Sequence, residues 1–75
     1  MEKLYGILED FRPDVDFRNE EKLIDDKILD SFDVVTLVGE IREEFDVEIG
    51  VNDLIPENFN SATLIWALIE RLQNE

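Results

Sequence analysis

Three stretches of this chain repeat apolar residues at the period of an α-helix, and no stretch sustains the alternation of a half-buried strand. Leu4, Ile7, Leu8 and Phe11 stand at i, i+3, i+4 and i+7, one stripe of an amphipathic helix. The spacing predicts a helix over Glu2 to Phe11, stopped by Pro13 because the residue before a proline is pushed out of the helical region. Val34, Leu37, Val38, Ile41 and Phe45 make a second stripe, with Val35 on its flank, and predict a helix from Ser31 to Phe45. The third stripe is Ala62, Ile65, Leu68, Ile69 and Leu72, with Asn60 or Ser61 as its cap and an end near Gln73. Leu64 and Trp66 lie off that stripe and widen it, which predicts a last helix covered on two sides.

The connections carry apolar residues of their own. From Arg12 to Asp30 no helical period is sustained, and a loop of that length is uncommon in a compact domain. Val15 and Phe17, Leu23 and Ile24, then Ile28 and Leu29 predict a loop pinned across the helices, with a helical turn near Glu20 to Leu23. Beyond the second helix, Val47 and Ile49 alternate towards the core, and Val51 to Ile55 reads as a short helical turn broken by Pro56. The expectation is one all-α domain over residues 1–75. It is a small four-helix bundle of three main helices plus one short helix, with a long loop between helices 1 and 2.

Composition removes several classes of function. The net charge of -13 repels nucleic acid and anionic membranes, steers the chain towards basic partner surfaces, and works against the compact state by self-repulsion. There is no histidine and no cysteine, so the commonest general base, a disulfide and a thiolate metal site are all absent. An enzyme is not expected. Asp14-Val15-Asp16 begins like a calcium loop, but Arg18 at position five and no glycine at position six argue against one. The carboxylate pairs Asp25-Asp26 and Glu43-Glu44 are adjacent rather than a preorganised set, so no dedicated metal site is expected. No apolar run approaches the roughly 20 residues of a membrane span. Met1-Glu2-Lys3-Leu4 lacks the basic region and long apolar stretch of a signal peptide, so the cytoplasm is the expected location; the expected state is a monomer.

The stretch Ile28-Leu29-Asp30-Ser31-Phe32-Asp33 ends the long loop and opens the best helix. A serine there sits where unpaired backbone N–H groups and the helix dipole favour an anion such as a phosphodiester. Ser31 also reads as a simple cap, or Asp30 caps with Asp33 three residues on, a weak capping box. Ser61, the other serine, reads as an ordinary cap. On the face of the second helix opposite its stripe stand Phe32, Asp33, Thr36, Gly39, Glu40 and Glu43. Phe32 suits a surface that a partner approaches, or folds back over the loop; Gly39 reads as tolerated.

Leu-Asp-Ser followed by an apolar residue, set between a long loop and an acidic helix, resembles the attachment site of acyl carrier proteins, and the likeness runs along the whole chain. The resemblance implies a bundle of that type with no catalysis of its own. It implies 4'-phosphopantetheine covalently attached to Ser31, with Asp30 as the neighbour recognised by a phosphopantetheinyl transferase. It makes Phe32, Asp33, Glu40 and Glu43 candidates for partner docking. Phe59-Asn60-Ser61-Ala62-Thr63 and Leu72-Gln73-Asn74 are similar to the D-alanyl carrier branch. That branch implies D-alanine or another amino acid held as a thioester, loaded by an adenylating enzyme and removed by an acyltransferase. A fatty-acid or polyketide acyl carrier, and an unmodified acidic interaction module, stay open beside it. Two residues depart from the family pattern. Lys27 replaces the usual glycine, which implies a loop that turns without a left-handed residue, and Thr36 replaces the usual glutamate of the second helix.

Overall fold

The computed structural model describes residues 2–74 and contains no strand among them. Its elements in order are α1 (Glu2–Phe11), α2 (Ser31–Phe45), a 3-10 turn (Val51–Asp53), α3 (Pro56–Phe59) and α4 (Ala62–Gln73). The three long helices fall where the apolar stripes put them. The stripes converge on one core: Leu4 and Leu8 of α1, Leu37 and Ile41 of α2, and Ala62, Ile65, Leu68 and Ile69 of α4 are all buried. Helix α1 packs against both α2 and α4, and α3 packs against α4. No helix among the described residues is long and apolar enough to cross a membrane.

The loop from Arg12 to Asp30 belongs to this core. Phe17, Leu23 and Leu29 are as buried as the helix residues, with Val15, Ile24 and Ile28 packed against them. Its one-turn pieces lie at Asp16–Glu20 and Lys22–Lys27 rather than at Glu20 to Leu23. The burial of Leu23 shifts the second of these along the chain: its N–H donates to the Asn60 carbonyl (2.8 Å) and its own carbonyl accepts from the Leu29 N–H (2.9 Å). The Cα radius of gyration, 11.2 Å, matches the roughly 11 Å of a compact chain of this length, so the loop lies on the bundle rather than standing off it.

The region after α2 differs from the expectation in a way that proline explains. Asp46 ends α2 in the left-handed conformation (φ 53) and donates its N–H to the Arg42 carbonyl. Aspartate tolerates that region better than most residues. Val47 is buried and Ile49 half-buried, as their alternation predicts. The 3-10 turn closes at Asp53, and Pro56 then starts α3 instead of breaking a helix. Proline is well suited to the first helical position, where its missing N–H has no partner to lose. The cap of α4 is Ser61, whose Oγ accepts from the Leu64 N–H (3.1 Å). Trp66 covers a second side of α4, meeting Phe45 edge-on at 5.7 Å. Leu64 does not share in that cover; it is 40% exposed.

Candidate functional site: the start of α2

Asp30, not Ser31, caps α2. Its Oδ1 accepts from the Asp33 N–H at 2.9 Å, and the Asp33 Oδ2 accepts from the Asp30 N–H at 3.2 Å. These two bonds form a complete capping box, with aspartate in place of the usual glutamate at its third position. Ser31 is therefore the first helical residue, exposed, with its hydroxyl outside the cap. The N–H groups of the first turn that the box leaves over point the same way, towards the positive end of the helix.

Three side chains, Arg12, Asp14 and Asn60, hold this helix start and the loop that leads into it. Arg12, half-buried just past α1, places Nη1 3.3 Å from the Ile28 carbonyl and 3.4 Å from Asp33 Oδ2. Asp14 binds the other edge of the same guanidinium, with 3.2 Å contacts from both Nε and Nη2. The pairing pulls the Asp14 carboxyl below the usual carboxylate range and pushes the Arg12 guanidinium further up. Asn60 holds the other side of the loop. Its Oδ1 accepts from the N–H groups of Ile24 (3.0 Å) and Asp25 (3.1 Å), and its Nδ2 donates to Asp25 Oδ2 (3.3 Å). In the sequence Asn60 reads only as an alternative to Ser61 for the cap of the last helix. Its loop-pinning role joins residues 35 and 36 positions apart, and no local pattern carries that signal.

Beside Ser31 lies a cleft of about 460 Å³. Its walls are Ile24, Lys27 and Leu29 from the loop, Asp30, Ser31, Val34 and Val35 from the start of α2, and Leu54, Ile55, Pro56 and Phe59 from the segment leading through α3. The wall is mostly apolar side chain, with Lys27 and Asp30 as its charged members. Lys27 has φ 60, so the loop does turn through a left-handed residue here, contrary to the expectation drawn from its side chain. The hydrogen bonds Lys27 N–H to Ile24 O (3.0 Å) and Leu29 N–H to Leu23 O (2.9 Å) close the turn tightly enough to impose it.

The other candidates separate into two groups. Phe32 is 78% exposed and does not fold back over the loop; Val35, one turn on, is also exposed. That apolar pair was only half legible, because Val35 reads as the flank of the buried stripe. Glu40 and Glu43 are exposed further along α2, and among the described residues neither makes an ion pair. Asp33 is half-buried and occupied by the capping box and Arg12. Thr36 turns its Oγ1 back on the Phe32 carbonyl at 3.1 Å, the local bond a threonine makes inside a helix. Around Gly39 the surface is open, so an added Cβ would meet nothing.

The family model described as the phosphopantetheine attachment site matches residues 3–64, from α1 into the first turn of α4. The chain belongs to the phosphopantetheine-attachment family. Among its relatives are D-alanyl carrier proteins of Streptococcus equi subsp. zooepidemicus (strains MGCS10565 and H70) and Streptococcus equi subsp. equi (strain 4047). Each is 34% identical over 64 residues, which cover 85% of this chain and 81% of the relative. As a family member the chain is a carrier protein with 4'-phosphopantetheine bound covalently through a serine. The start of α2 fits such a group: an exposed hydroxyl free of the cap, at the positive end of a helix, beside an open apolar cleft.

Proposed function

We propose that Ser31 is the attachment residue and that the chain presents an aminoacyl group, D-alanine being the leading cargo. The observation that carries the first part is the division of labour at the helix start: Asp30 caps, and Ser31 is left exposed with nothing structural to do. The 34% identity to D-alanyl carrier proteins over 85% of the chain supports the second. The arm's terminal thiol holds the acyl or aminoacyl group as a thioester, supplying chemistry this cysteine-free chain lacks. The protein's own part is to hold Ser31 in one place and to be recognised.

Recognition falls to the exposed face of α2. Asp30 flanks the serine for a phosphopantetheinyl transferase. Phe32 and Val35 offer an apolar contact, and Glu40 and Glu43 pair with arginine or lysine rims on a loading ligase and a downstream acyltransferase. Asp33 serves that face by fixing its first turn. Exposed pairs of this kind are worth typically under about 1 kcal/mol each, which suits brief docking on several enzymes. The carrier works as a cytoplasmic monomer with no catalysis of its own.

The test is to convert the protein with coenzyme A and a transferase, then map the arm by peptide mass. It should lie on the peptide containing Ser31 and not on that containing Ser61. Holo protein offered ATP, D-alanine and a D-alanine-activating ligase should then gain one aminoacyl increment that hydroxylamine removes. The apolar cleft beside Ser31 favours a second reading, a carrier of longer acyl chains. Loading by an acyl-activating enzyme and not by the D-alanine ligase would select it.

A further inference from the structure

We infer that Lys27 is the counter-ion of the phosphodiester on Ser31, a positioning residue that draws the base of the arm against the loop side of the cleft. The inference rests on the attachment at Ser31 proposed above. Three observations on Lys27 carry it.

The first is place: Lys27 lines the same cleft as Ser31 and Asp30, and it is the cationic side chain of that wall. The second is its lack of an internal partner. Lys3, Arg12, Arg18, Arg42 and Arg71 are each paired with a carboxylate, as expected in a chain with 20 acidic residues and 7 basic ones. Among the described residues Lys22 and Lys27 make no such pair. The third is backbone: Lys27 occupies φ 60, a conformation that glycine adopts without strain and a lysine does not. A long cationic side chain therefore stands at a position where the backbone alone would favour glycine.

The electrostatics give the ammonium a task. A phosphodiester on Ser31 adds negative charge next to Asp30 and Asp33, on a chain already at -13. The leftover N–H groups of the first turn offset part of that repulsion. The Lys27 ammonium, a compact charge on a flexible stem, offsets a further part from the loop wall of the cleft. Drawn towards Lys27, the first atoms of the arm would follow the loop wall that Lys27 shares with Ile24 and Leu29 rather than open solvent.

The experiment compares the apo and holo proteins by NMR of the lysine Cε–Hε groups and of phosphorus, after intact mass has established conversion. On attachment the Lys27 signal should move while those of Lys3 and Lys22 stay, and the change should shrink between about 20 and 300 mM salt as the pair is screened. The phosphorus signal should shift in holo Lys27→Gln and return to its wild-type position in Lys27→Arg. A Lys27 signal that moves no more than that of Lys22, or a phosphorus signal indifferent to Lys27→Gln, would overturn the inference while leaving the carrier intact. Absence of the mass increment overturns both.

Discussion

Arg12, just past the end of α1, places Nη1 3.4 Å from Oδ2 of Asp33 in the first turn of α2. Through that contact the long loop is closed at both ends, and the residue that completes the cap of α2 is held by the first residue of the loop. Asp33 thus has two partners, the Asp30 N–H and Arg12. Replacing Asp33 with alanine removes both and should destabilise the domain by about 1–2 kcal/mol. That corresponds to a fall in melting temperature of roughly 4–8 °C per kcal/mol for a domain of this size. Conversion by a phosphopantetheinyl transferase should slow at a temperature where the variant is still folded, because the first turn of α2 frays around Ser31. Thermal melts and initial rates of mass increment check the two parts separately.

Asn60 should matter more than its polar, partly exposed side chain suggests. Truncation to alanine leaves the part-buried N–H of Ile24 and the exposed N–H of Asp25 without their acceptor, at a cost of about 1 kcal/mol. Asn60→Asp keeps the acceptor but sets a charge beside Asp25, so it should recover only part of the loss. Amide exchange of Ile24 and Asp25 should rise ahead of that of Leu37 and Ile41 in the core.

The contrast between Asn60 and the helices marks what was legible in the chain. The stripes of α1, α2 and α4 are local, and burial follows them: Leu4 and Leu8, Leu37 and Ile41, Ile65 and Ile69 face inward as their spacing requires. The pinned loop was also legible, since six apolar residues at irregular spacing have no reason to face water. What escaped was set at long range or by backbone geometry. Pro56 reads as a stop in the sequence and starts α3 in the fold, because a proline ends one helix and opens another by the same missing N–H. The left-handed turn at Lys27 is imposed by hydrogen bonds that Leu23 and Leu29 make because they are buried, a tertiary effect that no side chain at position 27 announces. At the site, Leu-Asp-Ser was visible, but which of Asp30 and Ser31 caps is decided by the reciprocal bond from Asp33.

Acid should loosen the loop at identifiable points. Arg18 hydrogen-bonds Glu2, and Arg12 hydrogen-bonds Asp14, and each arginine lowers the pKa of its carboxyl. A carboxyl held lower when folded than when unfolded contributes its stability above the unfolded value and loses it as pH falls through the folded one. The tethering should therefore be intact at neutral pH and fade below about pH 4. Chemical shifts of residues 12–20 should report that change, and Glu2→Gln should remove the part carried by the Arg18–Glu2 pair, leaving the contact of Arg18 with Glu9. The effect is small, since both pairs are exposed.

Phe32 separates folding from recognition. At 78% exposure it contributes little to the fold, and Phe32→Ala should leave stability within about 0.5 kcal/mol of wild type. If α2 is the docking face, the variant should still receive the arm but be loaded more slowly by the activating ligase, through a raised KM. Glu40→Lys with Glu43→Lys should do the same and invert the salt dependence of loading, because the docking charge changes sign.

The central claim is tested most directly by the intact mass of the protein after incubation with coenzyme A and a broad-specificity phosphopantetheinyl transferase. One phosphopantetheine increment on the wild-type chain, absent from a folded Ser31→Ala variant, is the predicted result. An increment that persists in Ser31→Ala, or none on folded wild-type protein with several transferases, would contradict the account.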